Sequence, residues 1–217
     1  TFAALFWIGM YWRRATTKAG WITVTFCLVS FFVMPRLIPN VAPSLRTEPS
    51  LLQSNVKTET GGGKPIYWTG GVVEVEGVKQ GQGQFRFDML LYDKVIGYDL
   101  TKVRNATLAT LDLPFKIIAP FLVMIIASLL TKPNDKKALD RLFVKLKTPV
   151  DPVPEKDEAE IEKSYANPDR FDKNKLFPNS NLEFQRPTKY DVIGFLTCFA
   201  LCFAIIGLVL LVAQIGT

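Results

Sequence analysis

The chain of 217 residues contains no histidine and only three cysteines. Without histidine it lacks the commonest metal ligand and the commonest general base at neutral pH. Cys27, Cys198 and Cys202 all fall in apolar stretches without metal-ligand spacing, so they read as small hydrophobes. The one glycine-rich run that carries a lysine, Gly61 to Lys64, has the wrong spacing for a phosphate loop, and Pro65 stands where a serine or threonine is required. No nucleophile-base pair stands out. An enzyme is therefore not expected, and no catalytic, substrate-binding, cofactor-binding or metal-ligating residue is assigned. Nucleic acid is not expected as a partner either: the net charge of +6 comes without an arginine-rich stripe interleaved with aromatics. The positive-inside loops of a membrane protein give the same surplus.

What the sequence does have is long runs without charge. Val192 to Ala213 is apolar on every face apart from Thr197 and two cysteines. At about 1.5 Å per residue this is a helix of roughly 33 Å, the thickness of a hydrocarbon core, and it predicts a C-terminal transmembrane helix within residues 190–217. Trp21 to Met34, closed by Pro35 and Arg36 and long enough to span when counted from Gly20 to Ile38, predicts a second span, and Leu113 to Thr131 a third, with Pro120 expected to kink it. Phe2 to Met10 is too short to cross a bilayer and ends in Tyr11, Trp12, Arg13 and Arg14, the aromatic-then-basic border of a span at a membrane surface. This run is either a short interfacial segment or the second half of a span that begins upstream; the chain opens on Thr1 rather than methionine, and the second reading is preferred.

Orientation follows from charge. The turn Arg13 to Ala19 carries three basic residues and no acid, which assigns it to the cytoplasmic side and makes residues 1–38 a helical hairpin. Pro39 to Asp112 then lies outside, with eight basic and eight acidic residues. Within it, Ile66 to Glu76 and Gln84 to Leu91 alternate near period two, which predicts a β-hairpin with Gly77 to Gly83 as its connection. Asn105-Ala106-Thr107 fits a glycosylation acceptor pattern.

Residues 132–189 form a cytoplasmic linker on the same scheme. In Lys136 to Lys147 the residues Leu139, Leu142, Phe143 and Leu146 fall at helical spacing among lysines and an arginine, a basic amphipathic helix. Six basic and two acidic residues between Lys132 and Lys147 suit the anionic leaflet of a bilayer; packing on the protein's own inner face is the equal alternative. Asp151 to Ser164 is acid-rich and reads as a solvated helix, while the aromatics spaced along Tyr165 to Lys189 suggest a stretch that folds back against something.

Three stretches carry a resemblance. Leu5-Phe6-Trp7 with Met10-Tyr11-Trp12-Arg13-Arg14-Ala15-Thr16 and Lys18-Ala19-Gly20 looks like the aromatic-basic turn of the sodium:solute symporter family. Ser128-Leu129-Leu130-Thr131-Lys132-Pro133 leading into Asp140 to Lys145 resembles the long cytoplasmic linker of a bacterial subgroup of that family, as does Ser164-Tyr165-Ala166-Asn167-Pro168 through Leu176-Phe177-Pro178. The long loop from Pro39 to Asp112 departs from the short connection usual there.

The resemblance implies an all-α, multi-pass protein of the cell (inner) membrane. This chain would be the end of an inverted-repeat transporter core plus peripheral helices, with a small extracytoplasmic β-hairpin loop. It implies Na+ for the full-length protein and a small solute as cargo, with the ion ligands on core helices upstream, so no sodium ligand is carried onto these residues. The partners expected are the lipid bilayer, anionic lipid at Lys136 to Lys147 and the upstream transporter core. The alternative is a small stand-alone membrane accessory or assembly subunit that binds partners through its loops.

Overall fold

The computed structural model describes residues 1–55 and 63–215, so Gly61 and Gly62 of the glycine run lie outside the described residues. The chain divides into two compact bodies, Thr1–Lys136 and Lys137–Thr217. The structure is mainly helical. Among the described residues three helices are long and apolar enough to cross a membrane: Thr17–Val41, Asn105–Leu130 and Lys189–Gln214.

In the first body, α1 (Phe2–Tyr11) ends at Trp12, and a short turn leads to Thr16. The Thr16 hydroxyl accepts from the Ala19 N–H at 3.1 Å and caps α2 (Thr17–Leu28). Pro35 was expected to close this helix, but the helix runs through it. It widens into a π-turn at Val29–Val33 and continues as α3 (Met34–Val41). Proline has no N–H to bond back four residues and its ring crowds that carbonyl, so a wider turn accommodates it without ending the helix. Pro39 then removes the donor that would have served the Pro35 carbonyl. The N–H of Phe85 takes its place at 2.9 Å, fastening a distant loop to the helix.

The second span joins α5 (Asn105–Thr110) to α6 (Asp112–Leu130), which stays helical across Pro120. It begins earlier than expected because Asn105 to Thr110 already turns helically before Leu111. α2 meets α6 through small side chains: Ala19, Thr23, Ala127 and Ser128 are buried beside Met124, with Leu5 and Ile8 of α1 packed against the cluster. Small residues let two helix backbones approach closely where lipid offers no hydrophobic gain for association.

Between α3 and α5 the loop folds on a core centred on Ile66, Tyr67, Trp68, Phe85, Met89 and Leu100, which Leu108 of α5 completes. The predicted hairpin is present with shifted bounds. β1 (Gly71–Val75) pairs antiparallel with β2 (Val78–Gln82), Val75 opposite Val78. The turn is Glu76-Gly77, both at positive φ, rather than the run Gly77 to Gly83. Two left-handed residues match the right-handed twist of the flanking strands, and glycine makes the second of them cheap. Gln84 to Leu91 is not the partner strand. It offers one bridge, Phe85 to Trp68, and then turns into the short α4 (Phe87–Leu90).

In the second body, α7 (Lys136–Lys147) buries Phe143 and Val144, and Thr148 just beyond it donates to the Ser164 hydroxyl of α8 (Pro154–Ala166) at 2.9 Å. The expected apolar face is thereby split. Leu142 and Leu146 remain 49% and 51% exposed, because the packing face is rotated toward Phe143, Val144 and Lys147. After α8 the chain turns back on itself, with Leu176 N–H donating to Phe184 O and Arg186 N–H to Asn174 O. It is pinned by buried charges: Glu183 pairs with Lys147 and Lys175. α9 (Lys189–Ile215) opens on a reciprocal cap in which Thr188 N–H donates to the Asp191 carboxylate and Asp191 N–H to the Thr188 hydroxyl. None of the apolar side chains along its spanning window is buried, as suits a helix whose solvent is lipid.

Candidate functional site: a donor-lined cleft beside the hairpin

The loop core shapes an open cleft of about 530 Å³, lined by Lys64, Trp68, Thr69, Arg86, Asn105 and Asp112 among others. Its walls are set by hydrogen bonds. Buried Asn55 accepts from the Lys64 N–H at 2.6 Å through Oδ1 and donates from Nδ2 to Val103 O at 3.0 Å and to Asn105 Oδ1 at 2.8 Å. One amide therefore holds Lys64 and the first residue of α5 side by side. Thr69 and Gln84 exchange bonds across the start of the hairpin, Thr69 N–H to Gln84 O and Gln84 N–H to Thr69 Oγ1. Arg86 is seated by its own N–H on Tyr67 O at 2.8 Å, and its Nη2 donates to Leu108 O at 3.2 Å.

The Trp68 indole lies against Gly81, where any Cβ would fall inside the ring atoms, and the Arg46 guanidinium sits 5.4 Å from its ring centre. Arg46 also donates to Gly81 O at 2.8 Å. This clamp excludes every residue but glycine at position 81.

Several groups in and around this core have displaced titrations. Burial pushes the Asp88 carboxyl up from its ordinary value, with Arg86 and Lys116 working against the rise. One Asp88 oxygen is buried without a partner among the described residues. Burial also raises Tyr67, whose hydroxyl donates to Asp93 at 2.7 Å; Asp93 in turn is held low by hydrogen bonds from Lys94 and Tyr67.

A second polar cluster joins the α1–α2 turn to the end of α6. Arg14 Nη2 donates to Leu129 O and to Thr131 O, the Thr16 and Thr131 hydroxyls meet at 2.6 Å, and Asn134 Nδ2 donates to Ala15 O. These bonds use up the carbonyls that a helix C-terminus leaves without donors.

Sequence reasoning singled out none of the cleft residues for binding. Lys64 entered it only through the rejected phosphate loop, and here Pro65 forms a bridge to Ser54 rather than opening a helix. Asn105 entered as a glycosylation pattern; its side chain is half-buried at the start of α5 and already bonded to Asn55. The one available signal was Arg86 between Phe85 and Phe87, a charge set among residues that build a core.

A sodium cage needs several oxygen ligands around one point. The carboxylates within the described spans are Asp112 and Asp191, both at helix starts and both engaged, with Lys116 and Thr188 respectively. These residues do not fit such a cage, and among the described residues no group of histidine, cysteine and carboxylate side chains gathers for a metal. Set beside protein-family models, curated proteins and solved structures, the chain matches none of them.

Proposed function

We propose that this chain is the C-terminal part of a sodium-coupled secondary transporter working by alternating access, to which it contributes peripheral helices rather than the ion and solute sites. The observation that supports this reading is the contact between two of the stretches that carry the resemblance. Arg14 to Thr16 and Ser128 to Thr131 are more than a hundred residues apart, yet they interlock through Arg14, Thr16, Ser128 and Thr131. Segments that resemble one family at two distant places, and that fold onto each other, behave as one inherited unit.

On this reading the α1–α2 turn and the 132–189 linker face the cytoplasm of an inner membrane, and the hairpin-bearing loop faces outward. α7 lies where its lysines can meet anionic lipid. A second reading, a membrane accessory subunit that binds partners outside the bilayer, is favoured by the loop's folded core around Trp68.

The two readings part at the gene. The transporter reading expects a reading frame that continues upstream of Thr1 and encodes further spans, and a full-length product that takes up radiolabelled sodium with a solute in proteoliposomes. An initiation codon at the start of this segment, with the product purifying alongside another membrane protein, would establish the accessory subunit instead.

A further inference from the structure

We propose that the cleft beside the hairpin binds a small oxyanion, the carboxylate or phosphate group of a solute. The inference rests on the donor balance of its lining and does not depend on the transport reading. Besides Trp68, whose buried Nε1–H has no partner, four lining side chains offer hydrogens that no acceptor takes among the described residues. Lys64 has no carboxylate partner there, and its ammonium is exposed at the rim. Arg86 spends only Nη2, on Leu108 O, which holds the guanidinium against the wall and leaves its other N–H groups over.

Thr69 uses its oxygen to accept from Gln84 N–H, so its O–H is still to be placed. The Asn105 amide is oriented by elimination: Lys64 N–H fixes which end of Asn55 is oxygen, Asn55 Nδ2 then donates to Asn105 Oδ1, and the Asn105 NH₂ is left without an acceptor. The one carboxylate in the wall, Asp112, is paired with Lys116 at 2.5 Å.

A lining that is rich in donors and poor in free acceptors suits a ligand that only accepts. The planar fork of Arg86 matches the two oxygens of a carboxylate or phosphate, and Lys64 adds a mobile point charge. Asp88 is a nearby acid without an ion pair among the described residues; it is buried in the core, and that burial pushes its carboxyl up from the ordinary value. The cleft volume falls within the range of about 300–1,000 Å³ typical of small-molecule sites.

The test is calorimetric titration of the full chain in zwitterionic nanodiscs, using potassium phosphate in one arm and potassium succinate in the other, at constant ionic strength. Saturable binding of at least one anion is expected. Lys64→Gln and Arg86→Gln should each weaken it about tenfold, the size of a lost charge-assisted hydrogen bond, and Lys79→Gln, outside the cleft, should leave it unchanged. Lys64 makes no side-chain bond within the described residues, so its variant keeps the test valid if Arg86→Gln does not fold. The proposal is overturned by absence of saturable binding in both arms, by an unaltered affinity in Lys64→Gln, or by an equal loss in Lys79→Gln.

Discussion

Arg14 reaches across 115 and 117 residues of chain to donate from one nitrogen to the carbonyl oxygens of Leu129 and Thr131. A guanidinium serves two acceptors from one edge because its donors are fixed in a plane; an ammonium on a flexible stem does not hold that geometry. Arg14→Ala is expected to lower the melting temperature of the chain in detergent by an amount corresponding to about 2 kcal/mol, and Arg14→Lys to recover part of the loss. An unchanged melting temperature in Arg14→Ala would show that the turn is held by its threonines alone.

Lys147, Lys175 and Glu183 are each almost wholly withdrawn from solvent. Burial works against the Lys175 ammonium, but the hydrogen bonds to Asp172 and Glu183 outweigh it and hold the lysine protonated beyond its ordinary range. Glu183→Gln removes one of the two carboxylates that serve Lys147 and Lys175 and leaves both ammonium groups to Asp172 alone; breaking a buried pair from one side costs about 3–5 kcal/mol. Limited trypsin digestion is expected to cut the stretch between Arg170 and Arg186 in this variant much faster than in the parent. Equal digestion rates would mean that the fold-back stands without its ion pairs.

Asp88 sets a pH dependence with a definite sign. Its folded-state pKa lies above that of the unfolded chain, so the folded protein keeps the proton to higher pH. The stability this contributes is whole below the unfolded carboxyl range and is lost as pH rises through the folded value. Asp88→Asn removes the titration, and is expected to raise stability at pH 7 by about 1 kcal/mol while flattening the slope of melting temperature against pH above the ordinary carboxylate range. A variant less stable than the parent at pH 7 would show that the ionised carboxylate is wanted.

The split face of α7 separates its two roles. Leu142 and Leu146 are exposed beside Lys145, whereas Phe143 is buried. With the native cysteines replaced by serine, a polarity-sensitive fluorophore at a cysteine placed at Leu142 should brighten in vesicles with anionic lipid. It should dim as salt rises, since each basic residue near such a surface contributes roughly 1 kcal/mol that screening removes. The same emission in neutral and anionic vesicles would place the strip in water. Phe143→Asp, by contrast, should unfold the helix pair whatever the lipid.

Much of the architecture is legible in residue order because lipid imposes one simple demand, an apolar cylinder of about twenty residues. Val192 to Ala213 meets it without ambiguity. Helix ends were less legible, since proline reads as a stop, while Pro35 inside a continuing helix is accommodated by a wider turn that no local pattern announces. The hairpin illustrates a different failure. Alternation marked the valines of β1, but it also ran on through Gln84 to Leu91, where Phe85 is buried and Phe87 half-buried by tertiary packing on Trp68 and Phe115 rather than by pairing in a sheet. The cleft was illegible for the plainest reason: Lys64 and Asn105 are brought together by Asn55, a buried amide with no periodicity to betray it, and Arg86 is seated separately on the carbonyls of Tyr67 and Leu108.

The bond from Phe85 N–H to the Pro35 carbonyl turns a missing hydrogen into a timer. An amide in an irregular loop ordinarily trades its proton with water quickly, yet this one is locked to a helix and can exchange only when the loop lifts away from α3. Its deuteration rate therefore reports how often the two separate, at a position where neighbouring loop amides would report nothing. Restoring a helical donor with Pro39→Ala would give the carbonyl a competing partner, and the clock at Phe85 would run faster.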